Sequence, residues 1–468
     1  MDAVIKDGIL VTASETFEAD VGIEAGQIVA IGKGLDAPLK IGARGCYVFP
    51  GFIDVHVHLQ MPVGDIVSAD DFFTGTVAAA CGGTTTILDF AEAHGPQTLS
   101  EAVEERRRQA DGQVVVDYSL HLTGNRDDDD FLRELALLAE QGYTSLKIYT
   151  TYPGLMVEDR QILRLLEACR DAGILPIVHA ENHHIIEHMK ARLLREGKTS
   201  PRYHPVSRPC LAEAEAAQRV LALAAIAGSP VYFVHVSCAE TLEAIRKARK
   251  RGQEVYSEVT PHHLLLTEEE YLKPGLEGAM FVLSPPLREK GQLEPLWAAL
   301  RDGEIQTVAT DHCPWTRAQK ERGLQNFTLI PNGAPGIETR IPLLFTFGVR
   351  ARKLTLNRLV ESCSTVPARL FGLYPRKGTI APGADADLVI FDPEKEVVLS
   401  WRSLHHNVDH CPYEGWKVRG YPRLVLSRGE IIVEEGKFLG ERGRGLFIPR
   451  RKFRAGERLS QCVFPSEA

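Results

Sequence analysis

Short apolar runs rich in β-branched residues recur through the middle of this chain and alternate with longer segments of helical periodicity. Strands are predicted at Phe52, Thr85-Thr-Ile-Leu-Asp-Phe, Val114-Val-Val-Asp-Tyr, Ser145-Leu-Lys-Ile-Tyr and Pro176-Ile-Val-His. Further runs follow at Val231-Tyr-Phe-Val-His, Glu254-Val-Tyr-Ser-Glu and Thr307-Val-Ala-Thr-Asp. Amphipathic helices are predicted between most of them, among them Leu99 to Ala110, Asp159 to Ala172 and Ala239 to Arg251. The pattern amounts to about eight βα units, which is the α/β architecture of a (β/α)8 TIM barrel. Such barrels carry their chemistry at the C-terminal ends of the strands.

The two chain ends read differently. Ala3-Val-Ile, Ile9-Leu-Val, Asp20-Val-Gly-Ile, Gln27-Ile-Val-Ala-Ile and Cys46-Tyr-Val-Phe form short strands near the start, separated by Gly and Asp turns. Asp387-Leu-Val-Ile-Phe, Glu396-Val-Val-Leu, Arg423-Leu-Val-Leu-Ser and Glu430-Ile-Ile-Val repeat the pattern near the end. The expected organisation is a small β-sandwich built from residues 1–50 and 376–440, flanking a metal-binding barrel over 51–375. Residues 441–468 form a tail rich in Arg and Gly, extended and suited to an inter-subunit contact.

Composition narrows the class. A 468-residue chain with 25% charged and 44% hydrophobic residues is expected to be globular, and a net charge of -8 argues against nucleic acid or an anionic membrane as partner. The longest stretch without a formal charge, Val220 to Ala239, is broken by Gly228-Ser229-Pro230 and reads as a helix entering a strand, not a membrane span. The start lacks the basic and apolar regions of a secretory signal. Nine cysteines without CxxC spacing read as reduced thiols, which places the protein in the cytoplasm.

Candidate chemistry lies at the predicted strand ends. In Gly51-Phe-Ile-Asp-Val-His-Val-His58 the two histidines leave the same face of a strand. Alone, such a pair is most often strand decoration. It is joined, however, by Lys147, His179, His235 and Asp311, each on or at the end of another predicted strand. Five of these six are ordinary metal ligands. A buried lysine is costly, unless its stem is buried and its head reaches water. Carbon dioxide offers another solution, converting the amine to a carbamate, an anionic ligand able to bridge two metals.

With these residues in place, the chain resembles the cyclic amidohydrolases, specifically dihydropyrimidinases and hydantoinases. The resemblance spans nearly the whole length, through Gly51-Phe-Ile-Asp-Val-His-Val-His-Leu-Gln-Met-Pro, Gly82-Gly-Thr-Thr-Thr, His179-Ala-Glu-Asn and Val234-His-Val-Ser-Cys. It continues in Ser284-Pro-Pro-Leu-Arg, Thr310-Asp-His-Cys-Pro, Ile330-Pro-Asn-Gly and Gly383-Ala-Asp-Ala-Asp-Leu-Val. It implies a homotetramer that hydrolyses a small cyclic amide or imide. His56, His58 and Asp311 would hold one zinc or other divalent ion, and His179 and His235 a second. Carbamylated Lys147 and a hydroxide would bridge the pair. Tyr152 would donate to the oxyanion, Asp311 would carry the proton, and Ser284 and Asn332 would hold the substrate, mainly through backbone groups.

Relatives with the same barrel are separated by particular residues. Gln60 cannot supply the cation that would pair with a substrate carboxylate, so a neutral ring is expected. An allantoinase-like enzyme remains an alternative within the class. A non-catalytic scaffold would have lost ligands, and a mononuclear deaminase would lack Lys147. Pro153-Gly154-Leu155-Met156 replaces the polar, lysine-containing stretch common in the family, and Thr339 replaces a common Asp; both bear on substrate preference. His262-His263, His183-His184, His405, His406 and His410 are expected to be structural or solvent-facing, Cys313 to pack, and Asp127 to Asp130 to form a solvated loop or helix start.

Overall fold

Eight parallel strands occupy the centre of the computed structural model, which describes residues 1–456. They are β1 (Phe52–Asp54), β2 (Thr84–Ala91), β3 (Asp117–Gly124), β4 (Ser145–Tyr149), β5 (Leu175–His179), β6 (Val231–Phe233), β7 (Val255–Val259) and β8 (Thr307–Val308). Each pairs with the next in chain order. Every residue of these strands is buried, as expected when helices cover the outside of a parallel sheet. The covering helices include Leu99–Ala110, Asp159–Ala172 and Ala239–Lys250. Thr98 and Glu101 form a reciprocal cap at the first, and Asp128 caps Asp129–Glu140. The uncharged stretch resolves into the end of helix Cys210–Ala227 and β6.

The seam between β1 and β8 closes the barrel. Val57 bridges His312, and His58 N–H donates to the His312 carbonyl at 2.8 Å. Buried Arg340 donates to the carbonyls of Ile53 (2.8 Å) and Val308 (2.9 Å), tying the two strands from below. One buried guanidinium from elsewhere in the chain thus reinforces a join made by few backbone bonds.

One strand differs from the sequence expectation. Val114–Val116 precede β3 instead of forming it. Val114 N–H bonds to the Ala110 carbonyl and Val115 N–H to Thr76 Oγ1, so their backbone donors are spent on neighbouring helices. The ladder begins at Asp117, whose buried carboxylate accepts Lys377 Nζ at 2.5 Å.

A second, mostly antiparallel sheet of nine strands draws on both chain ends. Ala3–Val11, Thr16–Glu24, Gln27–Gly32, Leu39–Gly42 and Tyr47–Pro50 come from the start. Leu388–Val398, Lys417–Ser427, Glu430–Glu434 and Lys437–Phe438 come from the end. The ends meet where Tyr47–Pro50 pairs with Leu388–Phe391. Alternation along that strand sends Leu388 and Ile390 into a core shared with Ile5, Val21 and Leu424, while Val389 and Phe391 join the core of the barrel side. Lys6-Asp7-Gly8, which reads as a turn, is instead a bulge in one continuous strand. Asp7 takes φ 57°, and a Cβ on Gly8 would lie 2.5 Å from Val48 Cγ2.

Residues 441–456 cross the N-terminal end of the barrel. Ile448, Arg450 and Phe453 donate backbone bonds to Tyr118, Gly142 and Gly173, near the starts of β3, β4 and β5. Ile448 packs among Leu175, Ile177 and Tyr232 in the barrel interior. The rest of the predicted tail, 457–468, lies outside the described residues.

Candidate metal centre

The barrel gathers all six expected ligands at the C-terminal ends of its strands. His56 and His58 follow β1, Lys147 lies within β4, His179 ends β5, and His235 and Asp311 follow β6 and β8. His56 Nε2 and His58 Nε2 stand 3.3 and 3.2 Å from the same Asp311 Oδ1. Lys147 Nζ is 3.5 Å from His56 Nε2, and His179 Nδ1 is 2.9 Å from His235 Nε2. Ligand atoms of His56, His235 and Asp311 all lie within 4.8 Å of one another, which makes the two halves one cluster.

Buried carboxylates set which ring nitrogens face inward. Glu258 Oε1 accepts from His56 Nδ1 at 2.8 Å, leaving the Nε2 lone pair directed into the cluster. Glu181 Oε2 likewise accepts from His179 Nε2 at 2.8 Å and leaves Nδ1 inward. Burial lifts the Glu258 carboxyl to about 7. Three donors nevertheless converge on it (His56 Nδ1, the His235 N–H and the Tyr232 hydroxyl), and that geometry favours the carboxylate. For Glu181, burial alone would raise the carboxyl, but Arg208 at 2.7 Å and His179 hold it far below the usual range.

These contacts test whether the site suits a metal. With His179 Nε2 committed to Glu181, a His235 proton on Nε2 would strand the buried, unpartnered Nδ1. A proton on Nδ1 would set two lone pairs face to face. A cation between the rings removes the conflict, so the donors fit one. Burial keeps the His56, His179 and His235 imidazoles neutral, the form that ligates. Burial would raise Asp311, but His56 and His58 hold it at about 2, ionised. Burial lowers the Lys147 amine to about 8, against the pull of Asp311, Glu258 and Glu92.

A cleft of about 870 Å³ opens above the cluster, lined by Tyr152, Ser284 and Asn332 and rimmed by Met61, Val63, Leu155 and Leu329. The Tyr152 hydroxyl accepts from Arg208 Nη2 at 3.3 Å. Burial raises it to about 12 despite Arg208, so it remains a donor. Ser284 Oγ and Asn332 Oδ1 are buried without a hydrogen-bond partner. The Asn332 carbonyl, by contrast, already accepts from Trp315 Nε1 at 2.9 Å, which leaves its side-chain oxygen as the group open to a ligand. Gln60, Tyr152, His235 and Asp311 all hold positive φ (48°, 75°, 35° and 49°). Backbone strain of about 1–3 kcal/mol each is thus concentrated at the centre.

The remaining histidines stand apart from the cluster. His263 bridges Thr260 Oγ1 and the Pro285 carbonyl, supporting the loop that carries Ser284. His262 packs against it. His183 and His184 open helix His183–Arg195, and His405 pairs with Glu338. Cys313 is buried and burial raises its thiol, as packing requires.

Glu258, Glu181, Arg208 and Asp54 are the functional neighbours that sequence reasoning missed. Three left a signal, since Glu258 closes a predicted strand, Glu181 lies in His179-Ala-Glu-Asn, and Asp54, which accepts the backbone N–H groups of His56 and Thr310, lies in Gly51-Phe-Ile-Asp-Val-His. Arg208 lies between helices, where no periodicity marks it.

The amidohydrolase family model matches residues 47–432. The D-hydantoinase of Geobacillus stearothermophilus is 46% identical over 460 residues, covering 97% of this chain and 98% of that protein. The D-hydantoinase of Ralstonia pickettii is 44% identical over 457 residues, covering 97% and 100%. The crystal structure of dihydropyrimidinase from Brevibacillus agri NCHU1002 superposes with a TM-score of 0.95 at 44% identity, covering 97% of this chain and 100% of that one. Ligand geometry, barrel and full-length similarity agree: this chain belongs to the amidohydrolase family.

Proposed function

We propose that this protein is a metal-dependent hydrolase that opens the cyclic amide bond of 5,6-dihydropyrimidines or 5-substituted hydantoins. The observation that carries the reading is the convergence of four histidines, Lys147 and Asp311 at the base of a cleft that also holds Tyr152. Two divalent ions, zinc or another metal suited to nitrogen and oxygen donors, would be held by His56, His58 and Asp311 and by His179 and His235, with a Lys147 carbamate between them. When bound, such a pair supplies an acidified water and polarises a carbonyl.

The chain's own groups do the rest. Asp311, ionised and within reach of both sides of the cluster, takes the proton of the attacking water and delivers it to the departing ring nitrogen. Tyr152 donates its hydroxyl hydrogen to the oxygen that gains charge. Arg208 holds Tyr152 and Glu181 together, so the donor and the His179 ring are positioned by one guanidinium. Ser284 and Asn332 orient the ring, and the apolar rim of Val63, Leu155 and Leu329 suits an uncharged exocyclic group.

The same reading makes the protein a cytoplasmic homotetramer, consistent with eight described cysteines that form no disulfide. No described helix is long and apolar enough to cross a membrane. The deciding experiment follows ring opening of dihydrouracil, hydantoin and allantoin by the metal-loaded enzyme. Turnover of the first two supports the reading. Turnover of allantoin alone, or of none with two ions bound, overturns it.

A further inference from the structure

Among the described residues, two other donor clusters lie outside the catalytic centre. Asp117, Asp385 and Asp387 already surround a cation of the chain's own, Lys377 Nζ at 2.5, 2.9 and 2.7 Å. The other cluster is Cys210, Cys238 and Glu240, whose Sγ and carboxylate atoms lie within 4.8 Å of one another. Among the described residues no lysine or arginine pairs with Glu240, and its Oε2 accepts an amide hydrogen of Gln292 at 3.2 Å.

We propose that Cys210, Cys238 and Glu240 form an accessory site for a thiophilic divalent cation such as Zn2+ or Cd2+, separate from the catalytic cluster. Two thiolates and a carboxylate are a sufficient protein donor set for a tetrahedral ion, with water in the fourth place. The soft sulfurs select such ions over magnesium or calcium. The secondary structure places both cysteines at helix starts. Cys210 is the first residue of the 18-residue helix Cys210–Ala227 and Cys238 stands at the N-cap position of the 12-residue helix Ala239–Lys250. Hydrogen bonding from Cys238 lowers the Cys210 thiol, while the same contact and burial raise that of Cys238, so a bound ion would have to displace the Cys238 proton. Access is graded from outside to inside: Glu240 is exposed, Cys210 half-buried and Cys238 buried. Gln292 fixes the entrance by accepting from the Ala239 N–H at 2.7 Å while it holds Glu240.

The cluster adjoins the catalytic machinery. Cys210 lies two residues beyond Arg208, and Cys238 three beyond His235. Arg288 links the two loops, donating to the Arg208 carbonyl and to Ser237 Oγ. An ion here would clamp the segments that present Arg208 and His235.

The test titrates the holoenzyme, with its catalytic metals in place, with Cd2+. It follows sulfur-to-cadmium charge-transfer absorption and counts bound ions by equilibrium dialysis. One additional cadmium per subunit with the thiolate band is expected. Cys210→Ser should lose both while keeping native circular dichroism and catalytic metal content. Cys462→Ser, a change beyond the described residues, should keep both. Glu240→Gln, an exposed change that does not threaten folding, should weaken the added ion by at least about tenfold. A wild-type enzyme without the band, a band undiminished in Cys210→Ser, or unchanged affinity in Glu240→Gln would overturn the assignment.

Discussion

Asp54 Oδ2 accepts the Thr310 hydroxyl at 2.7 Å, joining the first barrel strand to the eighth directly beneath the histidine pair and Asp311. Asp54 Oδ1 also accepts the backbone N–H groups of Thr310 and His56. One carboxylate therefore sets the spacing between two ligand-bearing segments that are far apart in the chain. Asp54→Ala leaves three buried donors without an acceptor, at about 1–3 kcal/mol for each that stays unpaired. A lower thermal midpoint and fewer than two metal ions per subunit, read by calorimetry and elemental analysis, are the expected results.

Glu258→Gln tests the outer support of the cluster. Glutamine keeps the volume and one acceptor, but it removes the charge that three donors share and turns an amide toward one of them. Metal affinity should fall by about 10–100-fold, measured by competition with a chelator, while the fold is retained. An affinity equal to the parent enzyme would mean that Glu258 does not orient His56.

Much of this architecture could be read from the chain because the barrel repeats one local rule. Helices Leu99–Ala110 and Asp159–Ala172 fall where the apolar periodicity places them, and the ligands fall at strand ends. The misreadings share a cause, in that local pattern does not say where backbone hydrogen bonds go. Val114–Val116 look like a strand but bond to helices, and Lys6-Asp7-Gly8 looks like a turn but is a bulge. Arg208 and Arg340 act through partners distant in sequence, so nothing beside them in the chain announces their work, whereas Asp54 sits in the motif of His56 and only its reach to Thr310 is hidden from local pattern.

Tyr152→Phe separates the oxyanion donor from the ligands. The ring and its packing against His179 survive, and only the hydroxyl that contacts Arg208 is lost. Metal content should stay the same while kcat falls by about 10²–10³-fold, the cost of one missing donor. Ring-opening rates near those of the parent enzyme would remove Tyr152 from the proton and charge bookkeeping.

The Lys147 amine gives a pH dependence whose sign is fixed by burial. Only the neutral amine attacks carbon dioxide, and burial brings this amine down to about 8. Below that value the ammonium dominates, so the rate at which apoenzyme regains activity with zinc and dissolved carbon dioxide should rise about tenfold per pH unit, then level off above about 8. The carbon dioxide concentration must be held constant across the series, because bicarbonate takes its place as pH rises. Lys147→Arg, which keeps the positive charge but forms no stable carbamate, should not reactivate at any pH in the series. Recovery that is independent of both pH and carbon dioxide would show that the amine itself, or water, occupies the place between the two halves of the cluster.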